Sequence, residues 1–177
     1  EESYGYLLGT HARDKDGIIA SSLICEMALD AKLRGKTLVD DLHSLYATYG
    51  VYRDRLISVT LHGQEGVQRI AAMMEQLRAA PLHQIDGVAV TTIEDYKTSL
   101  KMDVKTGKTE TLSLPPSNVL LYWLEDGSRL VVRPSGTEPK IKFYMEIKGE
   151  MHCPKCYAGA VADAKEKVDA VKKSLGI

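Results

Sequence analysis

The hydrophobic repeat of this chain changes once, at Gly50, and that change limits the folds open to it. Before Gly50 the apolar residues recur every three to four positions, which is the repeat of a helix face; after it they alternate or run in short blocks between turn residues, which is the repeat of a sheet. Ile18, Ser22, Cys25, Leu29 and Leu33 predict a first helix, with Asp16 placed to cap its start and Gly35 placed for a left-handed stop. Thr37 is a good N-cap for a second, Asp40 and Asp41 suit the positive end of its dipole, and Leu38, Leu42, Leu45 and Tyr49 line one face. Residues 1 to 16, polar and punctuated by glycine, read as loop with at most one short strand. A domain boundary is expected at this change of repeat, dividing the chain into residues 1–50 and 51–177.

Beyond the boundary, Leu56 to Leu61 reads as a strand, and Val67, Ile70, Met74 and Leu77 mark an amphipathic helix that ends before Pro81. Val88 to Ile93 is a strand. Two hairpins follow, Leu100 to Val104 with Thr109 to Leu114 around Thr106-Gly107, and Val119 to Leu124 with Arg129 to Val132 around Asp126-Gly127. Ile141 to Ile147 is a last strand, and Val161, Ala164, Val168, Val171 and Leu175 put a final helix on one side of the sheet. The order predicts an α+β fold: a helical piece, then a small, mostly antiparallel sheet packed with helices.

Charge and composition exclude several functions. Lys and Arg number 23 against 24 Asp and Glu, so no overall basic excess points to nucleic acid or to an anionic membrane, and any anion site must be local. No apolar run approaches the roughly 20 residues needed to cross a bilayer. Three cysteines give no even framework and fit a reducing compartment, so the chain is read as cytoplasmic. It begins at Glu1, inside a motif discussed below, and is expected to be a fragment of a longer protein.

The segment Arg133-Pro134-Ser135-Gly136-Thr137-Glu138-Pro139-Lys140 joins two expected strands, and its chemistry suits a phosphate. Arginine offers a planar fork matching two phosphate oxygens. Ser135 and Thr137 add hydroxyl donors, Gly136 lets backbone N–H groups approach a ligand, and the prolines limit the loop's freedom. The competing reading is a tight turn whose Ser and Thr bond their own backbone while Arg133 stays solvated. Arg-Pro-Ser-Gly-Thr-Glu-Pro resembles the phosphate-binding loop in the last domain of the α-D-phosphohexomutases, the phosphoglucomutase and phosphomannomutase superfamily.

Two further segments, in the family's order, strengthen the resemblance. Glu1-Glu2-Ser3-Tyr4-Gly5 is similar to the sugar-specificity loop of the family's third domain, where a carboxylate and a serine hold sugar hydroxyls; here these are Glu1 and Ser3. Arg13-Asp14-Lys15-Asp16-Gly17 looks like a stretch of the phosphoglucomutase branch whose lysine faces the substrate. Lys15 is thus a candidate for binding or proton transfer, although an ordinary lysine, with a pKa of about 10.4, is a poor base near neutral pH and can act by charge alone. His11 competes for the proton-transfer role because an ordinary imidazole already titrates in range.

The resemblance implies a C-terminal piece of an α/β domain followed by a domain 4 of TBP-like fold. It also implies a hexose phosphate substrate, a phosphoserine carrier, a hexose 1,6-bisphosphate intermediate, and Mg²⁺ held with the carrier in other domains of the same protein. The family's Ser-His-Asn and Asp-x-Asp-x-Asp-Arg loops are not in this chain, so no metal site is expected in it and the piece alone is expected to be inactive. A non-catalytic phosphosugar-binding module is the alternative. Met151-His152-Cys153-Pro154-Lys155-Cys156 follows no pattern of the family. It can offer three zinc ligands or a redox pair, with a plain strand-to-helix loop preferred.

Overall fold

The computed structural model describes residues 6–10, 13–151, 153 and 156–175, the side chains of 171–175 excepted. The elements run α1 (Gly17–Leu33), α2 (Leu38–Tyr49), β1 (Val51–Thr60), α3 (Gly63–Ala79), β2 (Gln84–Ile85), β3 (Val88–Asp95) and β4 (Leu100–Asp103). Then come β5 (Thr109–Thr111), β6 (Leu120–Leu124), β7 (Arg129–Pro134), β8 (Lys140–Gly149) and α4 (Tyr157–Leu175). The expected α+β order is what the chain adopts.

Local signals set both helix starts. Asp16 accepts from the Ile18 and Ile19 N–H groups at 3.0 Å. Thr37 and Asp40 close a reciprocal capping box, the Asp40 N–H donating to Thr37 Oγ1 at 3.2 Å and the Thr37 N–H to Asp40 Oδ2 at 2.8 Å. Gly35, at φ +68°, ends α1. Arg34 then ties the two helices together, its guanidinium donating to both Asp30 and Asp41 at 2.7 Å. Hydrogen bonds from Arg34 hold the Asp41 carboxyl below the usual carboxylate range.

Within this chain the apolar stripes of these two helices are exposed. Ile18 is 82% exposed and Leu33 79%, and Leu42, Leu45 and Tyr49 are exposed as well, leaving Ala31 as the buried residue of α1. The side of α2 that packs carries His43, Tyr46 and Ala47 instead. Those residues meet the start of α4.

The sheet is antiparallel in every pairing, in the order β1-β8-β7-β6-β3-β4-β5, with β2 added on β3. Three strand expectations need correction. β1 begins at Val51 rather than Leu56, β5 stops at Thr111 rather than Leu114, and the short β2 was not foreseen. No strand forms among the described residues 6–10 and 13–16.

Alternation along β8 shows how the core is built. Ile141, Phe143, Met145 and Ile147 are buried, and their neighbours are half-exposed. The buried set joins Leu120, Tyr122, Leu130 and Val132 from β6 and β7, with Ile70 and Met74 of α3 and Ala164 and Val168 of α4 covering the same face. Each large aliphatic side chain fully buried there contributes about 1.5–3 kcal/mol. Tyr122 keeps its hydroxyl bonded to Leu77 O at 3.4 Å, and burial pushes its pKa up to about 12, so it is neutral in the core. The opposite face of the sheet carries Trp123, Arg129, Arg133, Lys142 and Tyr144.

Gly50 alone separates α2 from β1. Its backbone, at φ +94° and ψ 162°, lies where side chains are rarely tolerated, and a Cβ there would stand 3.1 Å from Gly149 O and from Lys148 Cε.

Candidate functional site

Sheet register decides what surrounds the β7–β8 corner. Residues 135–139 bridge the two strands, and the Ser135 N–H donates to Lys140 O at 2.7 Å, closing the corner. Pro139 O in turn accepts from the Leu61 N–H at 2.8 Å, so the exit of β1 braces the loop. Inside it, the Thr137 and Glu138 N–H groups both point at Ser135 Oγ, at 3.4 and 3.3 Å. This is the hydrogen bonding of a serine turn, and it sets the two amide donors side by side. A Cβ built on Gly136 meets no atom within 4 Å, and its φ is not in the left-handed region, so neither crowding nor backbone strain requires glycine there.

Arg133 stands at the mouth of this loop, exposed, with no ion pair among the described residues. Its direct cross-strand neighbour is Lys142. Lys142 Nζ lies 5.9 Å from the centroid of the Tyr144 ring, a cation–π contact on the same face. Lys140 adds a third cation nearby but is engaged by Glu138 at 2.8 Å, and this hydrogen bond holds the Glu138 carboxyl below its ordinary range. Lys142 was not among the sequence candidates. Its signal was the turn closure, since a corner closed by Ser135 and Lys140 sets 133 opposite 142.

The second group of candidates lies ahead of α1. The Asp16 N–H donates to Tyr6 O at 2.8 Å, folding the segment after residue 5 back onto the helix start. Lys15 is about half-exposed there, its Nζ 2.8 Å from Asp14 Oδ1, and its hydrogen bonds lower the Asp14 pKa. Glu1, Ser3 and His11 lie outside the described residues. Asp14 is committed to Lys15 and Asp16 to capping α1, so this pair does not fit a Mg²⁺ site. Among the described residues no three His, Cys, Asp or Glu side chains converge on a point that could hold a metal.

The Cys-x-x-Cys segment departs from the expectation of a plain loop, because Cys153 and Cys156 are joined in a disulfide. Cys25, the third cysteine, is exposed and free. Counting cysteines misled here: an odd total does not prevent one local pair.

Comparison with known proteins points to one family. The phosphoglucomutase/phosphomannomutase C-terminal domain matches residues 65–152, and alpha/beta/alpha domain III of the same proteins matches residues 1–49. A phosphoglucomutase of Staphylococcus aureus strain USA300 is 40% identical over 171 residues, covering 97% of this chain and 29% of the relative. That of strain MSSA476 is 43% identical over 148 residues, covering 84% and 27%. Among solved structures, the open form of parafusin, a phosphoglucomutase of Paramecium, superposes with a TM-score of 0.52 at 16% identity, covering 92% of this chain and 28% of that one, a likeness of fold. The chain thus spans less than a third of the length of these relatives, and it belongs to the phosphoglucomutase/phosphomannomutase family, matching its domain III and its C-terminal domain.

Proposed function

We propose that this chain supplies the sugar and phosphate grips of a phosphohexomutase that interconverts hexose 1-phosphate and hexose 6-phosphate. The observation that carries the reading is the β7–β8 corner: an arginine without an ion pair among the described residues, beside two amide N–H groups converging on one point and a glycine the fold does not require. Division of the chain near residue 50 belongs to the same proposal, with the sugar loop on the first unit and the phosphate loop on the second.

In the reaction, a phosphoserine elsewhere in the protein gives its phosphoryl group to a free sugar hydroxyl. The serine O–P bond breaks, a sugar O–P bond forms, and the proton of the sugar hydroxyl ends on the released serine oxygen. The resulting hexose 1,6-bisphosphate turns over and returns its other phosphoryl group to the serine. Mg²⁺, held outside this chain, would supply charge neutralisation at the transferred group. Arg133, Ser135, Gly136 and Thr137 hold the phosphate that is not reacting, with Lys142 beside them. Glu1 and Ser3 hold hydroxyls that look alike after the turn, and Lys15 stabilises charge, with His11 the alternative for moving the proton. Catalysis then rests on positioning and charge, as in phosphoryl transfer generally. A cytoplasmic setting belongs to this proposal too.

Titrating glucose 1-phosphate and inorganic phosphate into the full-length protein tests it. Arg133→Lys keeps the charge but loses the two-pronged contact, and it is expected to weaken both ligands by about tenfold to a hundredfold with an unchanged melting temperature. Glu1→Gln should weaken the sugar phosphate alone. Unchanged affinity in Arg133→Lys, with an unchanged melt, would reduce the loop to a turn. Tight binding by a full-length protein that turns nothing over would make it a phosphosugar-binding module.

A further inference from the structure

Neither grip uses the segment that leaves β8 and opens α4. Cys153 and Cys156 are linked there with Cα atoms 5.3 Å apart, and the Cys156 N–H donates to Cys153 O at 2.9 Å. Cys156 is exposed and Cys153 half-buried. The next residue, Tyr157, is the first of α4, and it stacks on two residues of α2, His43 at 4.6 Å and Tyr46 at 5.7 Å between ring centroids. Val51, Met151 and Ala160 make a small buried cluster at this contact with Tyr46, Ala47 and Val161, distinct from the main core. The covalent loop therefore fixes the first turn of α4 where α2 docks.

We propose that the Cys153–Cys156 bond is a reversible clasp on the α2–α4 contact, opened by a dithiol of the thioredoxin class. A thiolate of the reductant attacks Cys156, the exposed member of the pair. The S–S bond breaks, and Cys153 leaves as a thiolate that takes up a proton. The reductant's second thiol then attacks its own sulfur in the mixed disulfide and releases Cys156, which is protonated in turn. Two electrons and two protons pass to this chain, and the reductant departs as a disulfide. Cys156 is released at the N-terminal end of α4, where the helix dipole favours negative charge on sulfur.

The clasp lies just past Gly149, at the opposite end of β8 from the loop at 135–139, so it acts on the α2–α4 contact and does not touch that loop.

Hydrogen–deuterium exchange of the full-length protein, oxidised and then reduced with dithiothreitol, reads the clasp directly. Closing so short a loop restricts the chain enough that reduction is expected to speed exchange by roughly tenfold at the end of α2 (residues 43–49) and in the first turn of α4. Sheet amides of β6 and β7 should not change. A Cys153→Ser/Cys156→Ser double variant should exchange at the fast rate throughout and ignore dithiothreitol. Equal exchange in both redox states overturns the proposal. So does a protein whose two thiols stay reduced in an oxidising buffer, or one that retains stoichiometric zinc on them.

Discussion

Replacing Gly136 by alanine separates what the fold needs from what a ligand needs. The new methyl meets nothing within 4 Å, and the backbone is not left-handed, so the folded state carries no penalty. Restricting the unfolded chain should then stabilise the protein by about 0.4–1 kcal/mol. Spread over a full-length protein more than three times the length of this chain, that corresponds to a rise in melting temperature of about 1 °C or less. A bound phosphate pays the opposite way, because its oxygens must come to about 2.9 Å from the Thr137 and Glu138 amides and a methyl on residue 136 beside them holds them off. Losing one charge-assisted hydrogen bond costs about 1.5–3 kcal/mol, or about tenfold to a hundredfold in dissociation constant. Calorimetric titration of the full-length protein with inorganic phosphate and with glucose 1-phosphate, beside a thermal melt, measures both signs at once. A raised melting temperature with unchanged phosphate affinity would refute the loop as the phosphate grip. A fall of several degrees would refute the geometry assigned to Gly136.

Gly50→Ala should behave in the opposite manner, losing about 1–3 kcal/mol in chemical denaturation, because its φ of +94° and the Gly149 carbonyl 3.1 Å from the new methyl both oppose it. Arg78 is almost buried and bonds Asp95, Asn118 and Glu75, so Arg78→Ala should cost about 3 kcal/mol by stripping a buried carboxylate of its partner. Arg78→Lys should recover part of that loss. Acid should loosen the β6–β7 turn through Asp126: burial raises its pKa, but the Ser128 N–H and hydroxyl and Lys167 outweigh this and leave it lowered. A lowered folded pKa adds stability that is present above the ordinary carboxylate value of about 4 and is lost as pH falls through the folded value. Urea melts of Asp126→Asn between about pH 2 and 6 should therefore show a flatter dependence on pH than wild type.

Much of the sheet was legible because its signals are local. Asp126-Gly127 and Thr106-Gly107 turn where expected, with both glycines at positive φ, and β8 alternates cleanly. Reading failed where distant residues decide. The first half of β1, Tyr52-Arg53-Asp54-Arg55, shows no alternation of apolar and polar residues, yet it pairs with β8 over its whole length because an edge strand tolerates charge on both faces. On α2 the contact made within this chain runs through His43 and Tyr46, whose partner Tyr157 lies far along the chain and leaves no local signal. The phosphate loop was the hardest to judge, because a tight turn and an anion site ask for the same residues. Under the proposed function the two readings are compatible. Ser135 Oγ accepts the Thr137 and Glu138 N–H groups at 3.4 and 3.3 Å, longer than a good amide hydrogen bond, so the turn satisfies these donors only weakly. A phosphate oxygen carries charge and can come closer, and charge-assisted bonds are roughly twice as strong as neutral ones. Under the proposed function these are the donors that an arriving phosphate would take from the turn, with Arg133 alongside.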